Sequence, residues 1–109
     1  MRRVALSLLI AGTFVPVAFA ATTDVKVKDN FFKPDEVTIT KGDQIRWLWR
    51  GEKEHNVALK KPGSRKVAKR SALKTDGKFV YQFGKVGTWR VLCEVHPRKM
   101  RMEVNVRAP

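Results

Sequence analysis

Most of the chain consists of short runs in which apolar and polar residues alternate, separated by turn residues. The run "QIRWLWR" places Ile45, Trp47 and Trp49 on one face, and "KFVYQF" places three aromatic rings on one face in the same way. Alternation with a period of two indicates strands that bury one face, and turn residues such as Pro34 and Gly42 separate these strands. The sequence therefore predicts an all-β single domain of about seven short strands, folded as an antiparallel β-sandwich.

The segment 60–78, "KKPGSRKVAKRSALKTDGK", is the part of the chain that least resembles a strand. It is densely basic and contains Pro62, Gly63 and Gly77. We expect a long surface loop here, or a loop that holds one helical turn over residues 67–73. Most runs of charged residues are solvated surface, so the segment alone predicts no function.

The N-terminal segment "MRRVALSLLIAGTFVPVAFA" has the organisation of a secretory signal. Two arginines precede an apolar run that ends in "AFA", and this small-x-small close fits a cleavage site. A membrane anchor is the alternative, but the run falls short of the roughly 20 apolar residues of a spanning helix. We therefore predict a signal peptide over residues 1–20 and a mature domain over 21–109. The mature domain is expected to be periplasmic or otherwise extracytoplasmic, with no stable membrane insertion.

The chain contains a single cysteine, Cys93, and two histidines, His55 and His96. An exported domain of this size usually needs disulfides or a metal for stability, and one cysteine cannot form a disulfide within the chain. Cys93 therefore pairs between chains, remains a buried inert thiol, or binds a metal ion. A metal ion that binds only the folded chain would add its binding free energy to folding.

The stretch "CEVHPRKM" brings three potential metal ligands into one connection between strands. In a strand that covers "TWRVLCEV", Cys93 points to the same face as Trp89 and Val91, which directs its sulfur inward. The next residues must turn the chain before the alternating run "MRMEVNV" begins at Met100. Cys93, His96 and Met100 are therefore predicted to lie around one tight turn, while the second methionine of that run belongs to the core.

A thiolate, an imidazole and a thioether together favour copper. Blue-copper sites combine one Cys and two His in a trigonal set with a weak axial Met. We therefore predict one type 1 copper ion bound by four residues: His55, Cys93, His96 and Met100. Zinc is the alternative metal, with Cys93, both histidines and Glu94, although structural zinc sites more often pair several cysteines. A cysteine nucleophile would need a substrate cleft for which the domain leaves little room, so we do not predict an enzyme.

These residues resemble the small cupredoxins, the blue copper proteins of the plastocyanin, amicyanin and pseudoazurin type. "FFKPDEVTITKGDQIRWLWRG" resembles the opening of their sequences, "HNV" the strand of their first histidine, and "CEVHPRKM" their C-terminal ligand loop. The resemblance covers essentially the whole mature chain. It implies a Greek-key β-sandwich with copper at one end and one-electron transfer as the activity. It also implies His55, Cys93 and His96 as equatorial ligands and Met100 as the axial ligand.

The resemblance further implies roles for neighbouring residues. Asn56 follows the first histidine, as in the family, and is expected to hydrogen-bond across to the cysteine loop. The edge of His96 is expected to lie near the surface in an apolar patch and to serve as the electron port. One departure concerns Met100, which lies four residues past His96, whereas the amicyanin-like loop with His-Pro is usually one residue shorter.

Charge predicts the kind of partner. Lys and Arg number 23 against 10 Asp and Glu, a formal net charge of +13, and a field of this sign attracts anionic surfaces. We predict a monomer that binds no nucleic acid and docks an acidic redox protein near His96 and on a basic surface. That basic surface comprises Lys60, Lys61, Arg65, Lys66, Lys69, Arg70, Arg98, Lys99 and Arg101.

Two alternative functions remain at this point. One is a copper-binding or copper-delivery protein without rapid electron transfer. The other is a β-sandwich that binds polyanions, in which the net charge is the function and Cys93 is incidental.

Overall fold

The computed structural model describes residues 20–109, so the predicted signal peptide lies outside the described residues except for its last position. Within this range the chain forms nine strands, two more than predicted, because two short strands were not recognised in the sequence. The strands are β1 (Thr22–Lys28), β2 (Phe31–Lys33), β3 (Glu36–Thr40), β4 (Gln44–Trp49), β5 (Ala58–Lys60), β6 (Val67–Arg70), β7 (Lys78–Gln82), β8 (Gly87–Leu92) and β9 (Arg101–Arg107).

The strands form two sheets, with the orders β2-β1-β4-β7 and β3-β9-β8-β5-β6. The chain crosses repeatedly from one sheet to the other, and the predicted all-β sandwich is confirmed. The sheets are mixed, however, and not wholly antiparallel as predicted, since β1 runs parallel to β4 and β3 runs parallel to β9. These partners come from distant parts of the chain, so no short hairpin forces them to run in opposite directions.

The core lies between the two sheets and follows the predicted alternation. β4 buries Ile45, Trp47 and Trp49, and β9 buries the side chains at every second position from Met102 to Val106. The end of the core opposite the CEVHPRKM loop is aromatic: the Phe83 and Trp89 rings meet edge to face at a centroid distance of 4.9 Å. Rings packed in this way add to the stabilisation from their buried area.

The segment 60–78 differs from its prediction. Residues Val67–Arg70 form β6, which pairs antiparallel with β5, so the expected helical turn is wrong. The sequence of β6 shows no clear apolar alternation, because three of its four residues are exposed at the edge of the sheet. Further on, Lys74 forms an isolated bridge with His55, which ties the segment to the histidine. No helix among residues 20–109 is long and apolar enough to cross a membrane.

Candidate metal centre

Three neighbouring strands bring the predicted ligands to one end of the sandwich. Cys93 follows β8 directly and Met100 precedes β9 directly, and these two strands are antiparallel neighbours. The Cys93 N–H donates to the Met100 carbonyl at 3.0 Å, which places the two residues opposite each other. His55 lies just before β5, which pairs with the other edge of β8, so the same end of the sandwich receives all of these side chains.

The side chains converge on the cysteine sulfur. Cys93 Sγ lies 3.8 Å from His55 Nδ1 and 3.9 Å from His96 Nδ1, and the three ligand atoms lie within 4.8 Å of one another. His55, Cys93 and Met100 are fully buried, and His96 is partly exposed. The structure thus brings His55, Cys93 and His96 together, and it places Met100, buried, opposite Cys93 at the same end of the sandwich.

The donor set fits one metal ion. An ion about 2.0–2.3 Å from each nitrogen and sulfur in a trigonal set separates the nitrogen from the sulfur by about 3.7 Å. The observed distances of 3.8 and 3.9 Å are close to this value. One thiolate, two imidazoles and a neighbouring thioether form the ligand chemistry that suits copper.

The loop between Cys93 and Met100 is closed by its own backbone. The His96 N–H donates to the Cys93 carbonyl at 3.1 Å, and the Met100 N–H donates to the His96 carbonyl at 3.0 Å. The second bond spans four residues, so the additional residue of this loop is accommodated in a single helix-like turn. Met100 therefore reaches the buried side of the loop despite its longer spacing from His96.

His55 is fixed on three sides. Its backbone N–H and carbonyl both bond Lys74, each at 3.0 Å, and the carbonyl also accepts the indole N–H of Trp49 at 3.0 Å. On the far side of the ring, Nε2 lies 3.0 Å from Asp29 Oδ1. Since these contacts hold both the backbone and the ring, Nδ1 is left facing the Cys93 sulfur.

Asp29 was not identified from the sequence. Its carboxylate accepts the backbone N–H groups of Lys53 and Glu52 at 2.9 to 3.1 Å, in addition to the His55 ring. These bonds, with the Lys53 N–H the strongest influence and the Glu52 N–H the next, lower the pKa of Asp29 to about 2. Asp29 is therefore an anion at neutral pH. The only signal in the sequence was an Asp-Asn turn after β1, which is typical of many turns without a site.

Asn56 bonds across to the cysteine loop, as the resemblance implied. Its side chain accepts the Glu94 N–H at 2.8 Å and donates to Glu94 Oε1 at 2.7 Å. The same carboxylate receives two bonds from Arg70, at 2.9 and 3.0 Å. Arg70 and then Asn56 hold the pKa of Glu94 below its usual range. Glu94 is thus engaged with these two side chains and lies outside the metal cluster, which removes it from the zinc alternative.

His96 is the member of the site that reaches the surface. Within residues 20–109, no side chain or backbone group hydrogen-bonds to its Nε2. The neighbouring Val95 is 50% exposed. His96 lines a shallow surface hollow together with Pro97, Arg98 and Lys99. An imidazole edge surrounded by apolar and basic groups is therefore accessible to a partner.

The comparisons with known proteins agree with this geometry. The model of the family described as copper binding proteins, plastocyanin/azurin family, matches residues 19–107. The chain belongs to this family. Copper is accordingly the cofactor, and the resemblance to the cupredoxins that the sequence indicated is confirmed. Membership supports a blue copper electron carrier in general terms.

Individual relatives point the same way. Amicyanin-alpha of Methylorubrum extorquens is 32% identical over 92 residues, which cover 82% of this chain and 77% of the relative. The pseudoazurin structure from Methylobacterium extorquens AM1 is 26% identical, with a TM-score of 0.66, and the match covers 79% of this chain and 75% of that one. A purple cupredoxin from Nitrosopumilus maritimus shares the fold, with a TM-score of 0.67 at 19% identity, over 77% of this chain and 98% of that one.

Proposed function

We propose that the protein is an exported type 1 copper protein that carries single electrons between redox partners. The observation that carries this proposal is the convergence of two imidazole nitrogens, at 3.8 and 3.9 Å, on one buried cysteine sulfur. In this proposal His55, Cys93, His96 and Met100 would hold the copper ion. When bound, copper supplies a reversible one-electron couple between Cu(II) and Cu(I).

The chain's own residues keep the site nearly unchanged during electron transfer. The two sheets hold the ends of β8 and β9 side by side, and the loop between them is closed by three backbone hydrogen bonds. Burial of Cys93 and Met100 excludes water from the sulfur atoms. Little rearrangement is then needed when the charge of the site changes, which favours fast transfer.

The partner is proposed to be an acidic redox protein that docks over His96. His96 is the partly exposed edge of the site, and the exposed side chains of Arg98 and Lys99 lie beside it. The exposed side chains of β6 and its flanking loop continue the basic surface on one side of the sandwich. Opposite charges on a partner would raise the association rate, and added salt would lower it.

Export is part of the same proposal. We propose that residues 1–20 are a signal peptide and that residues 21–109 are the copper domain, which acts as a monomer in the periplasm or another extracytoplasmic space. The basic and apolar composition of the first twenty residues supports this assignment. N-terminal sequencing of the exported protein tests it, with Ala21 expected as the first residue.

Titration of the purified protein with Cu(II) tests the metal site. We expect one equivalent to give intense visible absorption from the thiolate and to raise the melting temperature. Cys93→Ser should lose the absorption, because the chain has no other thiol. Copper binding without intense colour would support the copper-delivery alternative. A colourless protein with an unchanged melting temperature would refute the proposal.

Charge reversal tests the docking surface. In the double variant Arg98→Glu, Lys99→Glu, the association rate with an acidic redox protein should fall and lose its salt dependence. Lys41→Glu with Lys85→Glu, two exposed residues at the aromatic end of the core away from the site, is the matched control with the same change in net charge. Equal effects of the two double variants would show that net charge alone, and not this surface, directs association.

A further inference from the structure

Asp29 and His55 form a contact that the proposed set of copper ligands does not include. The carboxylate oxygen Oδ1 lies 3.0 Å from His55 Nε2, while Nδ1 of the same ring faces the Cys93 sulfur at 3.8 Å. The ring is fully buried, and the Asp29 side chain is 33% exposed. The imidazole is therefore held between an anion on one side and the metal position on the other.

The local chain is built around this carboxylate. Asp29 closes the turn after β1, and the residues that precede His55 wrap over it, so that two of their backbone N–H groups bond its oxygens. Gly51 leaves the necessary room, because a Cβ at this position would lie 2.7 Å from Asp29 Cγ. The position of the carboxylate is thus fixed by hydrogen bonds from the backbone.

The chemistry of the two groups determines which nitrogen of the His55 ring carries the hydrogen. An ionised carboxylate only accepts hydrogen bonds, so Nε2 must carry a hydrogen, and in the neutral ring Nδ1 then presents its lone pair. A histidine ligand whose other nitrogen donates to a carboxylate is a more basic ligand. A negative charge close to the site also favours the more highly charged metal ion.

We propose that Asp29 is a positioning residue of the copper site: it fixes His55 with Nδ1 toward the metal, and its charge stabilises Cu(II) relative to Cu(I). This inference rests on the proposed role of His55 as a ligand. Residues that orient a metal-bound histidine typically change metal affinity about 10- to 100-fold when they are removed.

The first test uses the apoprotein and needs no metal. Long-range proton–nitrogen correlation spectra should show His55 with its hydrogen on Nε2, and Asp29→Ala should give a mixture of both tautomers. A wild-type His55 with its hydrogen on Nδ1 would overturn the proposal. The His96 ring, whose Nε2 has no hydrogen-bond partner within residues 20–109, serves as the internal reference for an imidazole without a carboxylate partner.

The second test separates the charge from the geometry. Asp29→Asn keeps an oxygen acceptor and removes the charge, so its Cu(II) affinity should fall at least tenfold while Cu(I) affinity changes less. Each tenfold difference raises the reduction potential by about 59 mV. Asp24→Asn is the matched control, since Asp24 is a paired carboxylate of β1 that bonds Arg46 instead of the site.

Each outcome separates this inference from the proposed function. If wild type gives no thiolate absorption with Cu(II), the proposed function fails. If wild type is coloured and Asp29→Asn matches Asp24→Asn in affinity and potential, this inference alone fails. If Asp29→Asn does not fold, the wild-type tautomer of His55 decides alone, and a hydrogen on Nδ1 would overturn the proposal.

Discussion

His55 and His96 each direct Nδ1 toward the Cys93 sulfur, at 3.8 and 3.9 Å. Their surroundings differ in every other respect. His55 is fully buried, and contacts from Asp29, Trp49 and Lys74 hold its ring and backbone. His96 is partly exposed and is held by the backbone turns of its own loop. His55 is therefore held rigidly, and His96 leaves the site accessible to a partner. An electron carrier needs both a rigid site and an accessible edge.

The largest test of this comparison removes each ring in turn. His55→Gly and His96→Gly should both lose the visible absorption with Cu(II). Added imidazole should restore it only in His96→Gly, since that position opens to the surface. His55→Gly should also destabilise the apoprotein by about 2–4 kcal/mol, because it creates a cavity and leaves buried groups unpaired. Equal rescue of both variants by imidazole would contradict the difference between the two sides.

A second test loosens the buried side without touching a ligand. Trp49→Phe removes the indole N–H that bonds the His55 carbonyl. Trp89→Phe removes a similar bond to the Lys85 carbonyl near the aromatic end, and Trp89 is equally buried. Both variants should lose about 1–2 kcal/mol of stability in thermal unfolding. Copper affinity should fall only in Trp49→Phe, and a fall in both would mean that stability alone controls the site.

A third and smaller test concerns the base of the cysteine loop. Asn56→Ala removes two hydrogen bonds to Glu94, one of which satisfies a backbone N–H, and should cost about 1 kcal/mol. Arg70→Met removes an ion pair whose members are 57% and 36% exposed, so solvent screens most of its effect. Hydrogen exchange of the Glu94 amide should therefore quicken in Asn56→Ala and change little in Arg70→Met. The reverse order would mean that the ion pair holds the loop.

The sequence predicted much of the fold because its signals are local. Strict alternation identified β4 and β9, and the buried faces of both are as predicted. The parallel pairing of β1 with β4 was missed because register between strands about twenty residues apart depends on tertiary packing and has no local signal. β6 was missed because an edge strand with three exposed residues has too few apolar positions to alternate.

The candidate site divides in the same way. The thiol and both imidazoles were found because the chain has one cysteine and two histidines, so few combinations were possible. The position of Met100 followed from the strand that begins after it. Asp29 was missed because it meets His55 across 26 positions in sequence, and nothing in its own turn distinguishes it from an ordinary loop aspartate. The residue types of the proposed ligands could be identified locally, whereas the contact that orients His55 could not.

The smallest expected effect comes from the other aspartate of this region, Asp24. Two bonds from Arg46 hold the pKa of Asp24 below its usual range. Because the folded pKa lies below the unfolded one, Asp24 stabilises the protein at neutral pH, and that contribution is lost as the pH falls through the lowered value. Melting temperatures of wild type and Asp24→Asn should therefore differ slightly at neutral pH and converge in acid, with copper affinity equal throughout. A difference that grew in acid would contradict the stabilising role of ionised Asp24, and a change in copper affinity would show that a carboxylate of β1 acts on the site without contacting it.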